Sequence, residues 1–441
     1  MKDHETTATA SRSQEIYQGQ KEYLFPCVGH MYRDPVVMAR GEGMKVWDAD
    51  GNEYLDFFSG ILSTSLGHCH PRLVSAVTEQ VKKLGHTSTL YVTEPQVEAA
   101  RRLADIAPGN LKRTFFSNSG TEAIETAISL ACIHTGRNEV IALRGAYHGR
   151  STLATNLTGL ASWRPLPSFL GNIKHTLAPY PYRCHFKTPC DESCAEAYAR
   201  DLEEVILSTT NGKPAAFIAE TIRGVAGFVV PPPGYFQRAA EVIRSYGGVL
   251  IIDEVQAGFG RTGKWFGIEH WGVVPDIMVM AKGIAGGLPV GATITTDEIA
   301  ASWKAKTIST FGGNPVCMAA MAVTLDVMRE ENVPANAVAR GAQLRAGLTA
   351  LSEKYPWIGD VRGLGLMQAI ELVQDRGSKE PDTRRTGALL EAAKAEGLLL
   401  GKAGIWDNVL RFGPSLLVTE HEVAEALHRV GRACARVDSG S

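Results

Sequence analysis

Two apolar runs in this chain end in charged residues of opposite sign. Gly-Gly-Val-Leu-Ile-Ile leads into Asp253, and Asp-Ile-Met-Val-Met-Ala leads into Lys282. In an open parallel sheet, ligands gather at the carboxyl ends of the strands, so both side chains can reach one crevice. A lysine there is costly if buried and unpaired, by several kcal/mol, roughly the desolvation penalty of an ion. An imine with an aldehyde removes that cost and makes the nitrogen reactive. A facing aspartate can hold the protonated nitrogen of a pyridine ring and turn that ring into an electron sink. An ordinary salt bridge between two strand ends accounts for the pair equally well.

A second segment narrows the choice. Phe115-Phe116-Ser117-Asn118-Ser119-Gly120-Thr121-Glu122-Ala123 runs from a strand through small residues into a helix over 122–135. Free amides at a helix start attract an anion such as a phosphate, and Ser119 and Thr121 add hydroxyls. Taken alone, Ser-Gly-Thr reads equally as a helix cap. A third segment, Gly145-Ala146-Tyr147-His148-Gly149-Arg150, sets an aromatic beside a tight turn, where it could stack on a flat ring or simply pack a loop.

Other patterns do not support their first reading. Gly258-Phe-Gly260-Arg-Thr-Gly263 matches the dinucleotide motif but stands five residues beyond its strand and is not followed by an uninterrupted helix. Cys184-His185-Phe-Lys-Thr-Pro-Cys190-Asp-Glu-Ser-Cys194 lacks the paired spacing of most zinc sites and reads as a reduced surface loop. His68-Cys69-His70-Pro71 reads as a helix entry. No metal is expected.

The elements that position these residues follow from hydrophobic pattern. Lys45–Ser59 is expected to be a hairpin around Asp50-Gly51-Asn52. Between about 71 and 330, short apolar strands at 114–117, 139–143, 215–219, 248–252 and 276–281 alternate with helices such as 235–246, which predicts an α/β fold with a mostly parallel sheet flanked by helices. Beyond 331 the spacing predicts helices at 337–354, 385–396 and 420–436, with strands at 363–372 and 409–412. Residues 1–70 are assigned to an N-terminal arm, frayed to about residue 22, and the first part of a smaller α+β domain. Residues 71–330 form the large domain, and 331–441 complete the small one.

The chain has 441 residues, 44% apolar and 21% charged, with a net charge of −2. That balance gives no basic surface for nucleic acid or anionic membrane and points to a small-molecule function. The polar N-terminus, the lack of a long apolar run and only eight cysteines fit a cytoplasmic protein with reduced thiols.

Taken together, VWDADGNEYLDFFSGI, LGHCHP, FFSNSGTEAIETA, GAYHGR, IIDEVQAGFGRTG, PDIMVMAKGIAGGLPVGA, STFGGNP and VLRFGPSL resemble the class III (subgroup II) aminotransferases of fold type I. The similarity runs from about 33 to 430 and is nearest to the alanine–glyoxylate and ω-amino acid aminotransferase-like members. It implies pyridoxal 5′-phosphate (PLP) as cofactor, with Lys282 as its Schiff-base lysine and proton carrier and Asp253 on the pyridine nitrogen. It places Val255 and Tyr147 on the two ring faces, with Gln256 on the phenolic oxygen. Ser119, Gly120 and Thr121 would hold the phosphate, and His148 and Glu220 would complete the cofactor site. Thr310 would reach the phosphate of a neighbouring subunit, implying a homodimer or dimer of dimers with shared sites. Ile61, Arg150 and Arg411 would contact substrate, Arg411 through a carboxylate.

The implied activity is ping-pong transfer of an amino group from an α-, β- or ω-amino acid to a small 2-oxo acid. Racemases, aminomutases and decarboxylating transaminases share the scaffold, and an inactive binding protein is the alternative of another class. One departure matters for substrate. Relatives that use glutamate and 2-oxoglutarate often read E-P-V-Q-G-E where this chain reads Glu220-Thr-Ile-Arg223-Gly-Val225. The final glutamate, which pairs with the equivalent of Arg411, is absent.

Overall fold

The computed structural model describes residues 11–165, 167 and 169–440. The part of the expected frayed arm before Ser11 lies outside the described residues. Its remainder is corrected, because Arg12–Tyr23 is a helix. A reciprocal cap between Ser11 and Gln14 starts it, and the Ser13 amide and Ser11 hydroxyl bond the Asp50 carboxylate at 3.0 and 2.9 Å. None of its residues is buried, which is why the segment carries no apolar period.

Strands β1 (Met38–Glu42), β2 (Lys45–Asp48) and β3 (Glu53–Asp56) form an antiparallel meander. The expected hairpin is therefore present over 45–56. Asp48 accepts the Asp50 and Asn52 amides and so fixes its turn.

Strands β4 (Arg113–Ser117), β5 (Val140–Leu143), β6 (Ile173–Thr176), β7 (Ala216–Glu220), β8 (Val249–Asp253), β9 (Ile277–Met280) and β10 (Gly291–Thr295) make the central seven-stranded sheet in the order β4-β10-β9-β8-β7-β5-β6. All neighbours are parallel except β10, which runs against both β4 and β9. Alternate residues of one strand enter different cores. Leu250 and Ile252 join the cluster holding Phe217, Met278 and Met280, whereas Val249 and Ile251 join Ile218, Ile277 and Val279. With a core on each face, the central strands β5, β7, β8 and β9 are apolar up to their carboxyl ends, which is what a two-sided sheet requires. Helix Gly120–Thr135 packs against β9 and β10, and helices Glu192–Thr209 and Tyr235–Ser245 pack together beside β6 and β8. β6 and β10 were not foreseen. Ile-Lys-His-Thr and Gly-Ala-Thr-Ile-Thr are too short and mixed to stand out from a loop.

Strands β11 (Ile358–Leu364), β12 (Met367–Leu372), β13 (Leu398–Leu399), β14 (Gly401–Ala403) and β15 (Val409–Phe412) follow. The sheet β11-β12-β15-β14 is one unit, and β13 pairs parallel with β3, which joins the two ends of the chain. The single strand expected over 363–372 is corrected to the turn and second arm of a hairpin. Gly365 at φ 51 makes the turn, and a Cβ there would lie 2.6 Å from the Arg261 carbonyl oxygen. Helices Val333–Lys354, Thr383–Ala395 and Glu420–Ser439 match the three expected beyond residue 331. Among the described residues, no helix is long and apolar enough to cross a membrane.

Candidate active site

The carboxyl ends of β4, β5, β7, β8 and β9 open on one cavity of about 380 Å³. Its wall includes Ser119, Gly120 and Thr121 from the start of helix Gly120–Thr135, and Tyr147, His148 and Arg150 from the loop after β5. Glu220, Asp253, Val255, Gln256 and Lys282 complete the set that sequence had singled out here. Elements far apart in the chain thus deliver the expected groups to one place.

At the helix start, the cap reading of Ser-Gly-Thr is met, and the amides that an anion would need stand open beside it. Ser119 is the N-cap and its hydroxyl accepts from the Glu122 amide at 3.4 Å. The Thr121 hydroxyl meets the Ser151 hydroxyl at 2.7 Å, and Ser151 in turn donates to Glu125 at 2.6 Å. The Gly120 and Thr121 amides have no acceptor among the described residues and stand at the positive end of the helix dipole. Gly149, at φ 127, lets its loop press on them, since a Cβ there would lie 2.5 Å from the Thr121 hydroxyl oxygen.

Asp253 and Glu220 are both buried, on adjacent parallel strands in register. Asp253 accepts the Val255 amide at 3.0 Å and pairs with His148 Nδ1 at 2.8 Å. His148 Nε2 is buried without a partner among the described residues. Glu220 accepts the Tyr147 amide at 2.9 Å and the Gly224 amide at 2.8 Å. Burial, reinforced by the nearby Asp253, pushes its carboxyl above the usual range.

Lys282 follows β9 at φ 50, a left-handed conformation that a side chain with a Cβ adopts only at a cost of about 1–2 kcal/mol. Its ammonium makes no hydrogen bond or ion pair among the described residues. Burial pulls its pKa down to about 8, helped by Arg411 and opposed by Asp253 and Glu220. The salt-bridge reading of the Asp253–Lys282 pair is therefore corrected. Asp253 has His148 as its side-chain hydrogen-bond partner, and the lysine nitrogen is left without one.

Gln256 lines the cavity with its buried Oε1 unpartnered among the described residues. Tyr147 is held edge-on by Trp163, with ring centroids 5.3 Å apart. Unpartnered helix amides, a deep carboxylate and a free amine together fit a phosphorylated pyridine aldehyde.

Three expected residues lie off the cavity wall. Arg411, on β15, is buried among Phe58 and Phe228 and donates to the carbonyls of Gly224 at 3.2 Å and Lys402 at 3.3 Å. Its Nε has no partner among the described residues, and burial lowers its pKa to about 10. Ile61 sits in a left-handed turn and is 46% exposed, while Ser63 two residues on does line the cavity. Thr310 is exposed. Sequence reading missed Ser63, Asn118 and Trp163, for which nothing in residue type marks a site.

The other motifs fall as follows. His70 caps helix Pro71–Lys83, as a helix entry would. No continuous helix follows the Gly258–Gly263 stretch, only the short turn Gly267–Trp271. Cys184, in the loop after Arg183, and Cys194, in the first turn of helix Glu192–Thr209, bring their sulfurs to 3.7 Å, and among the described residues no three such side chains converge as a metal site needs.

Comparison with known proteins agrees with this geometry. The family model described as aminotransferase class-III matches residues 28–434. Alanine–glyoxylate aminotransferase 2 homolog 2, mitochondrial, of Arabidopsis thaliana is 41% identical over 415 residues, covering 94% of this chain and 86% of that protein. The solved (S)-enantioselective omega-transaminase of Thermomicrobium roseum superposes with a TM-score of 0.90 at 34% identity, covering 98% of this chain and 100% of that one. The omega transaminase of Pseudomonas jessenii in complex with PMP gives a TM-score of 0.89 at 30% identity, over 96% of this chain and 98% of that one.

Proposed function

The chain belongs to the class III aminotransferases, which are PLP-dependent, and we propose that it moves an amino group from an α-, β- or ω-amino acid to a small 2-oxo acid such as pyruvate or glyoxylate. When bound, PLP supplies an aldehyde for the donor amine and a ring that spreads the negative charge left on the reacting carbon. The Gly120 and Thr121 amides, with Ser119 and Thr121 beside them, hold its phosphate, and Asp253 keeps a proton on the ring nitrogen. His148 orients that carboxylate. Val255 and Tyr147 enclose the ring, and Gln256 donates to its phenolic oxygen. Lys282 Nζ takes the proton from the amine-bearing carbon of the donor.

The observation that carries the substrate class is the Arg411 guanidinium. It is buried and has no carboxylate partner among the described residues, and Val225 stands where the resemblance implies a glutamate in relatives that use glutamate and 2-oxoglutarate. An unpaired buried guanidinium is costly by several kcal/mol, roughly as for any buried ion, so the site favours substrates that bring their own carboxylate. Arg150, exposed at the cavity mouth, is placed to hold the distal carboxylate of an ω-amino donor. Steady-state comparison of acceptors tests this, with kcat/KM for pyruvate or glyoxylate at least matching that for 2-oxoglutarate. Arg411→Ala should lower kcat/KM for amino acids about 10- to 100-fold, the worth of hydrogen bonds to a charged group. A clear preference for 2-oxoglutarate, or unchanged amino-acid turnover in Arg411→Ala, overturns the proposal.

The working form in this reading is a homodimer or dimer of dimers, in which Thr310 reaches the neighbour's phosphate and Ile61 lies at the shared substrate entrance. Exposed Leu90, Tyr91, Val92, Ile308 and Phe311 support a covered surface beside it. Thr310→Ala should weaken PLP binding about 10- to 100-fold, one charge-assisted hydrogen bond, as read by cofactor titration. A fully active monomer in sedimentation would contradict the assembly. The seven-stranded sheet would be the large domain, 71–330, with 1–70 and 331–441 building the small one. The free cysteines support a cytoplasmic location.

A further inference from the structure

Three thiols that the transfer reaction does not use lie after Arg183, Cys184 and Cys190 in the loop and Cys194 in the first turn of helix Glu192–Thr209. Cys184 is half-buried, Cys190 exposed and Cys194 buried, and all three are free. The Cys184 sulfur lies 3.7 Å from Cys194, 3.7 Å from the Thr188 hydroxyl and 3.8 Å from the Tyr198 hydroxyl. Such a ring of donors suits a thiolate. Cys190 is not among the hydrogen-bond contacts of the Cys184 sulfur.

We propose that Cys184 and Cys194 are a modification site, a reversible thiol–disulfide couple oxidised by a peroxide. Cys184 as thiolate attacks one peroxide oxygen, the O–O bond breaks, and the departing hydroxide takes a proton to leave as water. The sulfur of Cys194 then attacks the sulfenic sulfur of Cys184. The S–S bond forms, the S–O bond breaks, and a second water leaves with the Cys194 proton. Two thiols have lost two electrons and hydrogen peroxide has gained them. A dithiol reductant reverses the exchange.

Placement favours this pair. The donors, outweighing the opposing effect of burial, lower the Cys184 thiol to about 7, so much of it is thiolate at neutral pH. Burial, with the neighbouring Cys184, holds Cys194 as a thiol with its pKa near 12, a donor poised at hydrogen-bond distance. The remaining step from 3.7 Å to a bond asks for a small loop adjustment. The couple begins right after Arg183, whose Nε bonds the buried Glu371 at 2.5 Å, so the chain on that side is pinned to the body.

The test uses reduced, desalted holoenzyme with one equivalent of hydrogen peroxide at pH 7. The expected product has lost two hydrogens by intact mass, links the tryptic peptide Cys184–Lys187 to Thr188–Arg200, and reverts with dithiothreitol. The same link should form in Cys190→Ser. In Cys194→Ser, dimedone should instead trap a sulfenic acid at Cys184. Iodoacetamide should modify Cys184 about tenfold faster than Cys27 or Cys69. The proposal is overturned if Cys190→Ser forms no link, if Cys27 or Cys69 oxidises first, or if stoichiometric zinc copurifies on these thiols and protects them.

Discussion

Lys282→Ala enzyme should lose transamination by at least about 10²- to 10⁴-fold, the range of a general acid–base group, while still binding PLP through the phosphate and ring contacts. The geometry separates this from the effect of removing a structural ion pair. Asp253 is already paired with His148, so no partner is orphaned. Burial instead depresses the Lys282 pKa from its ordinary 10.5 to about 8. A base with a lowered folded-state pKa opposes folding below that value, and the penalty fades as pH rises from about 8 toward the unfolded pKa. Lys282→Met, which keeps the aliphatic stem, should therefore give an apoprotein more stable than wild type at pH 7, by on the order of 1–3 kcal/mol. That gap should close near pH 10.5. Denaturant titrations of the two apoproteins across pH, beside a single-turnover assay, check both halves. An inactive variant that is also less stable at pH 7 would point to a structural lysine, and near-wild-type turnover would remove it from the mechanism.

The parts of this site that were legible in the sequence are those where one residue type at one place does a distinct job. A lysine and an aspartate ending apolar strands, and small residues opening a helix, stand out because burial makes them costly without a purpose. The central strands were legible for the same reason. A strand with a core on each face must be apolar along its length, as β8 is up to Asp253, and little else in the chain is. What stayed hidden depends on pairing across long sequence separations. β10 reads as Gly-Ala-Thr-Ile-Thr and becomes a strand only between β4 and β9. His148 was expected at the cofactor, but its bond to Asp253, which decides how the Lys282 pair is read, spans more than a hundred residues. The helix Arg12–Tyr23 buries nothing, so its formation rests on a cap and on Asp50, signals that apolar periodicity does not register.

Glu371 is the largest such omission, and Glu371→Ala should cost about 3–5 kcal/mol of stability, the penalty for stranding a buried charge. Its side chain is fully buried on β12. It accepts from Arg183 Nε at 2.5 Å, Arg362 NH1 at 2.6 Å, the Tyr180 hydroxyl at 2.5 Å and Asn408 Nδ2 at 3.3 Å. Arg362 also bonds the Gly227 carbonyl at 2.8 Å and Asp360 at 2.7 Å, so one carboxylate ties β11 and β12 to the loops after β6 and β7. Burial raises the Glu371 pKa, but Arg362, the Tyr180 hydroxyl and Arg183 outweigh it and hold the carboxyl below its usual value. A lowered carboxylate contributes stability above its unfolded pKa, about 4.3, and loses it as pH falls through the folded value. The deficit of Glu371→Ala against wild type should therefore be full at pH 7 and shrink in acid. Arg362→Met in the same chain should restore part of it, because the stranded guanidinium is gone. Function should follow stability. β12 pairs with β15 with Ala369 opposite Arg411, so a loosened β12 displaces the arginine proposed to hold the substrate carboxylate. Under conditions where the variant stays folded, KM for amino acids should rise more than kcat falls. Unchanged unfolding midpoints at pH 7 would show that the four donors find other acceptors.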